Sequence, residues 1–248
     1  MNIPVTSAAF ARLFGLMAAG IVLMYVIPMS SGGVGNRYEV PIAVLFSVIL
    51  GLLIHQAAGR RREMLAAVML ELNKLRRIYH LAKNLSAASQ KYRSWFTEVH
   101  SNLYGYLTFF ADKDFSRYDE SNQAFRELSY HIYTVPELEP GKESSLYREL
   151  LNTSAVVAAS RQKIKELFDS RMSPYVWAVI LLMEAGLILT TALSGGSRLA
   201  GAVLVAVSLS AVGLLWEMDD MAGERRRLAK RYVDNIARLE LRRRDKEG

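Results

Sequence analysis

The 248-residue sequence predicts an all-α polytopic membrane protein, with four transmembrane helices and a cytoplasmic helical bundle inserted between the second and the third. Three observations carry that expectation. Hydrophobic residues make up 51 % of the chain and the mean hydropathy is +0.12, yet 22 % of residues are charged, so the two populations must be segregated. Four apolar stretches, at residues 13–29, 40–58, 175–193 and 199–216, are each about long enough to cross a hydrocarbon core of ~30 Å at ~1.5 Å per residue. Glu184 is the only formally charged residue within them. The segments between and after the stretches show helical periodicity rather than the alternation of strands. The apolar content excludes intrinsic disorder, and the absence of cysteine excludes a disulfide framework.

Orientation follows from the basic residues. Of 31 Lys and Arg, 18 fall between residues 59 and 172 and 10 between 217 and 248, while the loops at 30–39 and 194–198 are nearly free of charge. Arg60-Arg61-Arg62 and Arg225-Arg226-Arg227 stand close to apolar ends. By the positive-inside rule both charged segments are cytoplasmic, and so are both termini. The chain therefore divides into a first transmembrane hairpin (1–58), a cytoplasmic helical bundle (59–173), a second hairpin (174–216) and a basic C-terminal helix (217–248). A pI near 9.6 can also mark nucleic-acid binders. Here the 18 bases of the central segment meet 14 acids, so no dedicated basic face exists and no nucleic-acid partner is expected. Basic residues beside spans set topology and touch anionic lipid headgroups, which makes membrane lipids the expected partners.

The first span is expected to be an uncleaved membrane helix. Its apolar run is too long for a signal-peptide core, and Ser30-Ser31-Gly32 offers no Ala-x-Ala site. Ala11, Gly15 and Ala19 put small residues on one face. In the second span Ala43, Ser47, Gly51 and His55 recur every four residues, and Ala202, Ala206 and Ser210 do so in the fourth. Small residues at that spacing let helix backbones approach closely, and the face of the second span suits the lining of a narrow pore equally well. So many close-contact faces predict a tightly packed, oligomeric assembly.

After the second span the chain has no Pro or Gly from Arg60 to His100, so that helix is expected to run on into the cytoplasm. Leu65, Val68, Leu72, Leu75, Tyr79 and Ala82 form a packing stripe there. A second stripe comprises Tyr92, Trp95, Phe96, Val99, Leu103, Tyr106, Leu107 and Phe110, and aromatics at this spacing are expected in a core. A third, shorter stripe is Phe125, Leu128 and Ile132. The loop from Val135 to Gly141 breaks the pattern with two prolines and a glycine. A last cytoplasmic helix follows from about Ser144 to Met172, apolar at Leu146, Leu150, Val157, Ile164 and Leu167. Ser173-Pro174 opens the third span as cap and first helical residue.

No P-loop, nucleophile elbow, dinucleotide fingerprint or zinc-type spacing is present. His55, His80, His100 and His131 never pair at i+3 or i+4. Neither an enzyme nor a metal or other cofactor is expected. Membrane-embedded polar groups are more informative. Glu184 lies ten residues past Pro174, roughly 15 Å along the helix, near the bilayer centre. An ionised carboxylate there costs on the order of 3 kcal/mol, so Glu184 reads as a functional intramembrane group or as a protonated carboxyl bonded to a neighbouring helix. At the end of the fourth span, Glu217, Asp219 and Asp220 form an acidic cluster. It reads as a gathering point for cations, calcium among them, or as a solvated turn with Trp216 at headgroup level.

Glu71-Leu72-Asn73-Lys74-Leu75, followed by Ile78-Tyr79 and Leu81-Ala82, resembles the Glu-x-Asn-x-Leu…Tyr-x-Leu-Ala pattern of the bestrophin-like family, bacterial four-span relatives of bestrophin chloride channels. Leu50-Gly51, Tyr92 to Val99, the passage from Arg161 through Ser173-Pro174 to Trp177, and Glu217-Met218-Asp219 are similar too. The likeness runs from about residue 40 to 220. It departs at the exit of the fourth span, where the family continues into a proline and this chain has Asp220-Met221-Ala222-Gly223. The resemblance implies a bacterial inner-membrane location and a homo-oligomeric ring, pentameric in bestrophins, with second-span helices around a central pore. Ser47, Gly51 and His55, or the larger face Ile42, Phe46, Ile49 and Leu53, then become pore-lining candidates, the latter gating by dewetting. Glu71 and Asn73 become buried polar residues of a cytoplasmic vestibule. The expected function is passive ion conduction, with the permeant ion open. The alternative is a membrane-anchored signalling or scaffold protein that acts through its cytoplasmic bundle.

Overall fold

The computed structural model describes residues 7–28, 36–111 and 115–244. The glycine-rich run at 32–35 and the small residues at 30–32 lie outside the described residues. Eight α-helices make up most of the described chain: α1 (Ser7–Val26), α2 (Asn36–Ala88), α3 (Arg93–Thr108), α4 (Asn122–Tyr133), α5 (Lys142–Asp169), α6 (Pro174–Leu193), α7 (Arg198–Asp220) and α8 (Ala222–Arg244). Short 3-10 segments at Gln90–Tyr92 and Phe115–Ser121 precede α3 and α4, and no strand occurs among the described residues. Three helical stretches are long and apolar enough to cross a membrane, within 38–88, 142–193 and 198–235; α1 carries a shorter apolar stretch, Ala11–Val26.

Local chemistry explains the helix boundaries. At 53 residues, α2 is about 80 Å long at ~1.5 Å per residue. It ends at Ser89, whose backbone is extended. The Val135–Gly141 loop closes on Gly141 at φ 106°, a conformation that favours glycine. There the Gly141 N–H donates to the Ser144 hydroxyl at 3.2 Å. The Ser173 hydroxyl accepts the Val176 N–H at 3.4 Å, and Pro174 takes the first position of α6. Met221 ends α7 in the left-handed region at φ 51°, its N–H bonded to the Glu217 carbonyl. The turn from α7 into α8 therefore needs only one residue.

The chain forms two compact units, one of Met1–Arg61 with Arg171–Gly223 and one of Arg62–Ser170 with Glu224–Gly248. In the first, α1 packs along α7. Met24 joins Ala202 and Val205 in one apolar cluster. Phe46, Leu50 and Ala57 of α2 meet Ile180 and Leu187 of α6 and Leu215 of α7 in another. Ala202 and Ala206 are buried in this packing. The small stripe of α1 is not: Ala11, Gly15 and Ala19 are exposed, and Gly20 and Met24 are the buried positions. A cluster of small residues marks a possible contact, but the partner decides which neighbouring face is used.

In the second unit the first two stripes meet as the periodicity predicts. Val68, Leu72, Leu75, Tyr79 and Ala82 are buried, with Trp95, Val99, Leu103 and Tyr106. Met64, Ile78, Leu81 and Leu85 are buried as well, so α2 is covered over a wider arc than one stripe. Leu150, Val157, Ile164 and Leu167 line the inner side of α5. The segment Phe115–Ser121 shows no periodic signal, yet it supplies Phe115 and Tyr118 to the same core.

Candidate functional site

Along α2, the two candidate pore faces separate. Phe46 is 2 % exposed inside the cluster shared with α6 and α7, and Ile42 and Leu53 pack against that cluster. Ile49 is half-buried beside it. Ser47, Gly51 and His55 are exposed instead. A Cβ on Gly51 would meet nothing within 4 Å, and the Ser47 hydroxyl bonds back to the Ala43 carbonyl at 2.7 Å. Nothing in the described chain covers this polar, small-residue face.

A cleft of about 210 Å³ opens beside it, lined by Ser47, Leu50 and Gly51 of α2, Leu187 of α6 and Leu204 and Ser208 of α7, among others. Ser208 donates to Glu184 Oε1 at 2.8 Å. Glu184 is 4 % exposed, and its Oε2 is buried without a partner among the described residues. A hydroxyl in the middle of an apolar stretch was the available signal for Ser208.

At the end of α7 the three acids do not converge. Asp219 turns inward and forms a buried ion pair with Arg60 at 2.7 Å. The Met172 N–H and the Trp177 indole N–H donate to the same carboxylate at 3.1 and 3.4 Å. Arg60 also donates to the Asp219 backbone carbonyl at 2.5 Å. Asp220 meets Arg171 at 3.4 Å, and Glu217 is half-buried. Residues 217–220 are helical, so Asp219 points away from Glu217 and Asp220, which stand three residues apart on a common face. No group of three or more metal-ligating side chains occurs among the described residues. One carboxylate instead ties α2, the start of α6 and the end of α7 together.

The second unit has a polar centre at Glu71, which is fully buried. Tyr106 donates to its Oε1, and Tyr118 and Tyr232 donate to its Oε2 at 2.6 and 2.8 Å. Arg161 lies 3.6 Å from Oε1 and also donates to the Tyr106 hydroxyl, to Ser121 at 3.0 Å and to Asn122 at 2.7 Å. Its guanidinium stands 4.7 Å from the ring centres of both Tyr118 and Phe125. Burial pushes the Glu71 carboxyl above its ordinary value, although Arg161 and the three phenols pull the other way. Burial also holds all three phenols well above theirs, so they act as donors. Asn73 is exposed, which corrects its expected burial. Two helical residues turn the chain through about 200°, so Asn73 faces away from Glu71.

A family model described as the Bestrophin-like domain matches residues 39–220. No curated protein and no solved structure matches the chain.

Proposed function

Because the chain belongs to the bestrophin-like family, we propose that it is a subunit of a bestrophin-type ion channel that conducts passively through an oligomeric pore. The observation that carries this reading is the uncovered face of α2. Ser47, Gly51 and His55 are exposed on a helix whose opposite side is packed, and Gly51 leaves room beyond its backbone. In a ring of subunits such faces converge and give ions a narrow polar path. The spans form two hairpins with both termini in the cytoplasm of a bacterial inner membrane. Residues 59–173 form the inserted cytoplasmic bundle, in which the Glu71 network holds the vestibule wall rigid. Asp219 and Arg60 brace the inner end of the spans rather than collecting ions. No step of this function makes or breaks a bond.

Native mass spectrometry from mild detergent and flux in liposomes test the proposal together. A ring of four or more subunits that passes ions, with flux blocked by Gly51→Trp in an intact ring, is the expected result. A stable monomer or dimer overturns it, because too few α2 helices remain to enclose a path.

The scaffold reading has one observation in its favour. Tyr104, Tyr130 and Tyr133 are 43 %, 66 % and 61 % exposed on the helical unit, and exposed aromatics are enriched where proteins meet. It expects Tyr130→Ala with Tyr133→Ala to abolish function while Gly51→Trp leaves it intact.

A further inference from the structure

The Glu184 carboxyl is incompletely satisfied in a way that narrows its ligand. Its Oε1 has one partner, the Ser208 hydroxyl, and its Oε2 has none among the described residues, although the residue is 4 % exposed. Ser208 carries a single hydroxyl proton but faces two acceptors, Glu184 Oε1 at 2.8 Å and the Val205 carbonyl at 3.0 Å. A hydroxyl donates once and accepts through its lone pairs. It can therefore donate to an ionised Glu184. It can equally turn its proton to Val205 and accept one from a protonated Glu184. Both states are served without moving a helix.

Other ligands fit less well. Glu184 and Ser208 offer three side-chain oxygens, whereas a hard cation such as calcium takes six or more. The apolar stretches 40–58, 175–193 and 199–216 of the three packed helices contain no Lys or Arg to pair with the carboxylate, and His55 of α2 is exposed. In an apolar setting a carboxyl without a counter-ion is neutralised by a proton. Access exists, because Ser208 lines the open cleft whose other polar wall is Ser47. We infer that Glu184 and Ser208 form a proton-binding site within the spans, loaded and unloaded through the cleft between α2 and α7. The inference stands on the geometry of this unit and does not require the protein to conduct.

Dicyclohexylcarbodiimide tests it, since this apolar reagent couples to protonated carboxyls. The acid proton passes to a carbodiimide nitrogen as the carboxyl oxygen bonds the central carbon, and the adduct rearranges to a stable N-acylurea that peptide mass spectrometry locates. Full-length protein in nanodiscs is expected to acquire the adduct on Glu184. Yield should fall severalfold from acidic to alkaline buffer, be insensitive to sodium or potassium, and vanish in Glu184→Gln. Gly51→Leu, which fills the cleft without touching the carboxyl, should cut labelling severalfold while elution on size exclusion stays unchanged. No adduct on Glu184, or a yield independent of pH, overturns the site. Protection by sodium at constant pH overturns the proton as its ligand, and full labelling of Gly51→Leu overturns the cleft as its route.

Discussion

Gly20 of α1 and Ala206 of α7 face each other so closely that a Cβ on Gly20 would lie 2.8 Å from the Ala206 Cα. The obstacle is backbone, which cannot swing aside as the end of a long side chain can. Gly20→Ala is thus expected to destabilise the first unit by about 1–3 kcal/mol, the usual cost of overpacking. Gly15, whose Cβ would meet nothing within 4 Å, is the internal control. Gly15→Ala should be neutral or stabilise by up to ~1 kcal/mol through helix propensity. Thermal unfolding in detergent reads both, and equal effects at the two positions would refute the close approach.

Asp219 accepts from Arg60, the Met172 N–H and the Trp177 indole in one buried site. Asp219→Ala takes the carboxylate away from a buried guanidinium and is expected to cost about 3–5 kcal/mol. The double change Arg60→Met with Asp219→Leu removes both charges and should recover much of that loss. If the double variant is as unstable as the single one, the ion pair is not what holds these helix ends.

Tyr106 gives its proton to Glu71 and accepts from Arg161, so one hydroxyl satisfies two charged groups. Tyr106→Phe keeps the ring and removes only that oxygen. The expected cost is on the order of 1–3 kcal/mol for polar groups left short of a partner in a buried site. Denaturant unfolding of the full chain measures it, and an unchanged midpoint would show that the network carries no net stability.

Burial raises the Glu71 carboxyl above its ordinary value. Between the two values the folded chain holds a proton that the unfolded chain has released. Its contribution to stability is therefore present below the ordinary carboxylate value and lost as pH rises through the raised one. Glu71→Gln does not titrate and should lack this decline. Unfolding midpoints of both proteins across that range decide the matter, and parallel pH profiles would contradict it.

Much of the fold is legible from residue spacing alone. The stripes of α2, α3 and α5, the breaker loop before Gly141 and the Ser173-Pro174 start of α6 rest on rules that act within a few residues, so a linear reading reaches them. The small-residue face at Ser47, Gly51 and His55 was a candidate on the same ground, whereas the burial of Glu71 was implied only by the family resemblance. The segment Phe115–Ser121 escaped, because 3-10 turns carry no sustained period.

Pairings across the chain were beyond such a reading. Arg60 meets Asp219 from 159 positions away, and Tyr232 meets Glu71 from 161 away. No local pattern names either partner, since any of the chain's acids or phenols satisfies the same chemistry. Packing makes the selection: Gly20 rather than Ala19 faces α7, and Phe46 turns into the core while Ser47 stays out. A helix fixes the angles between its own residues, but which side is buried depends on what other helices bring against it.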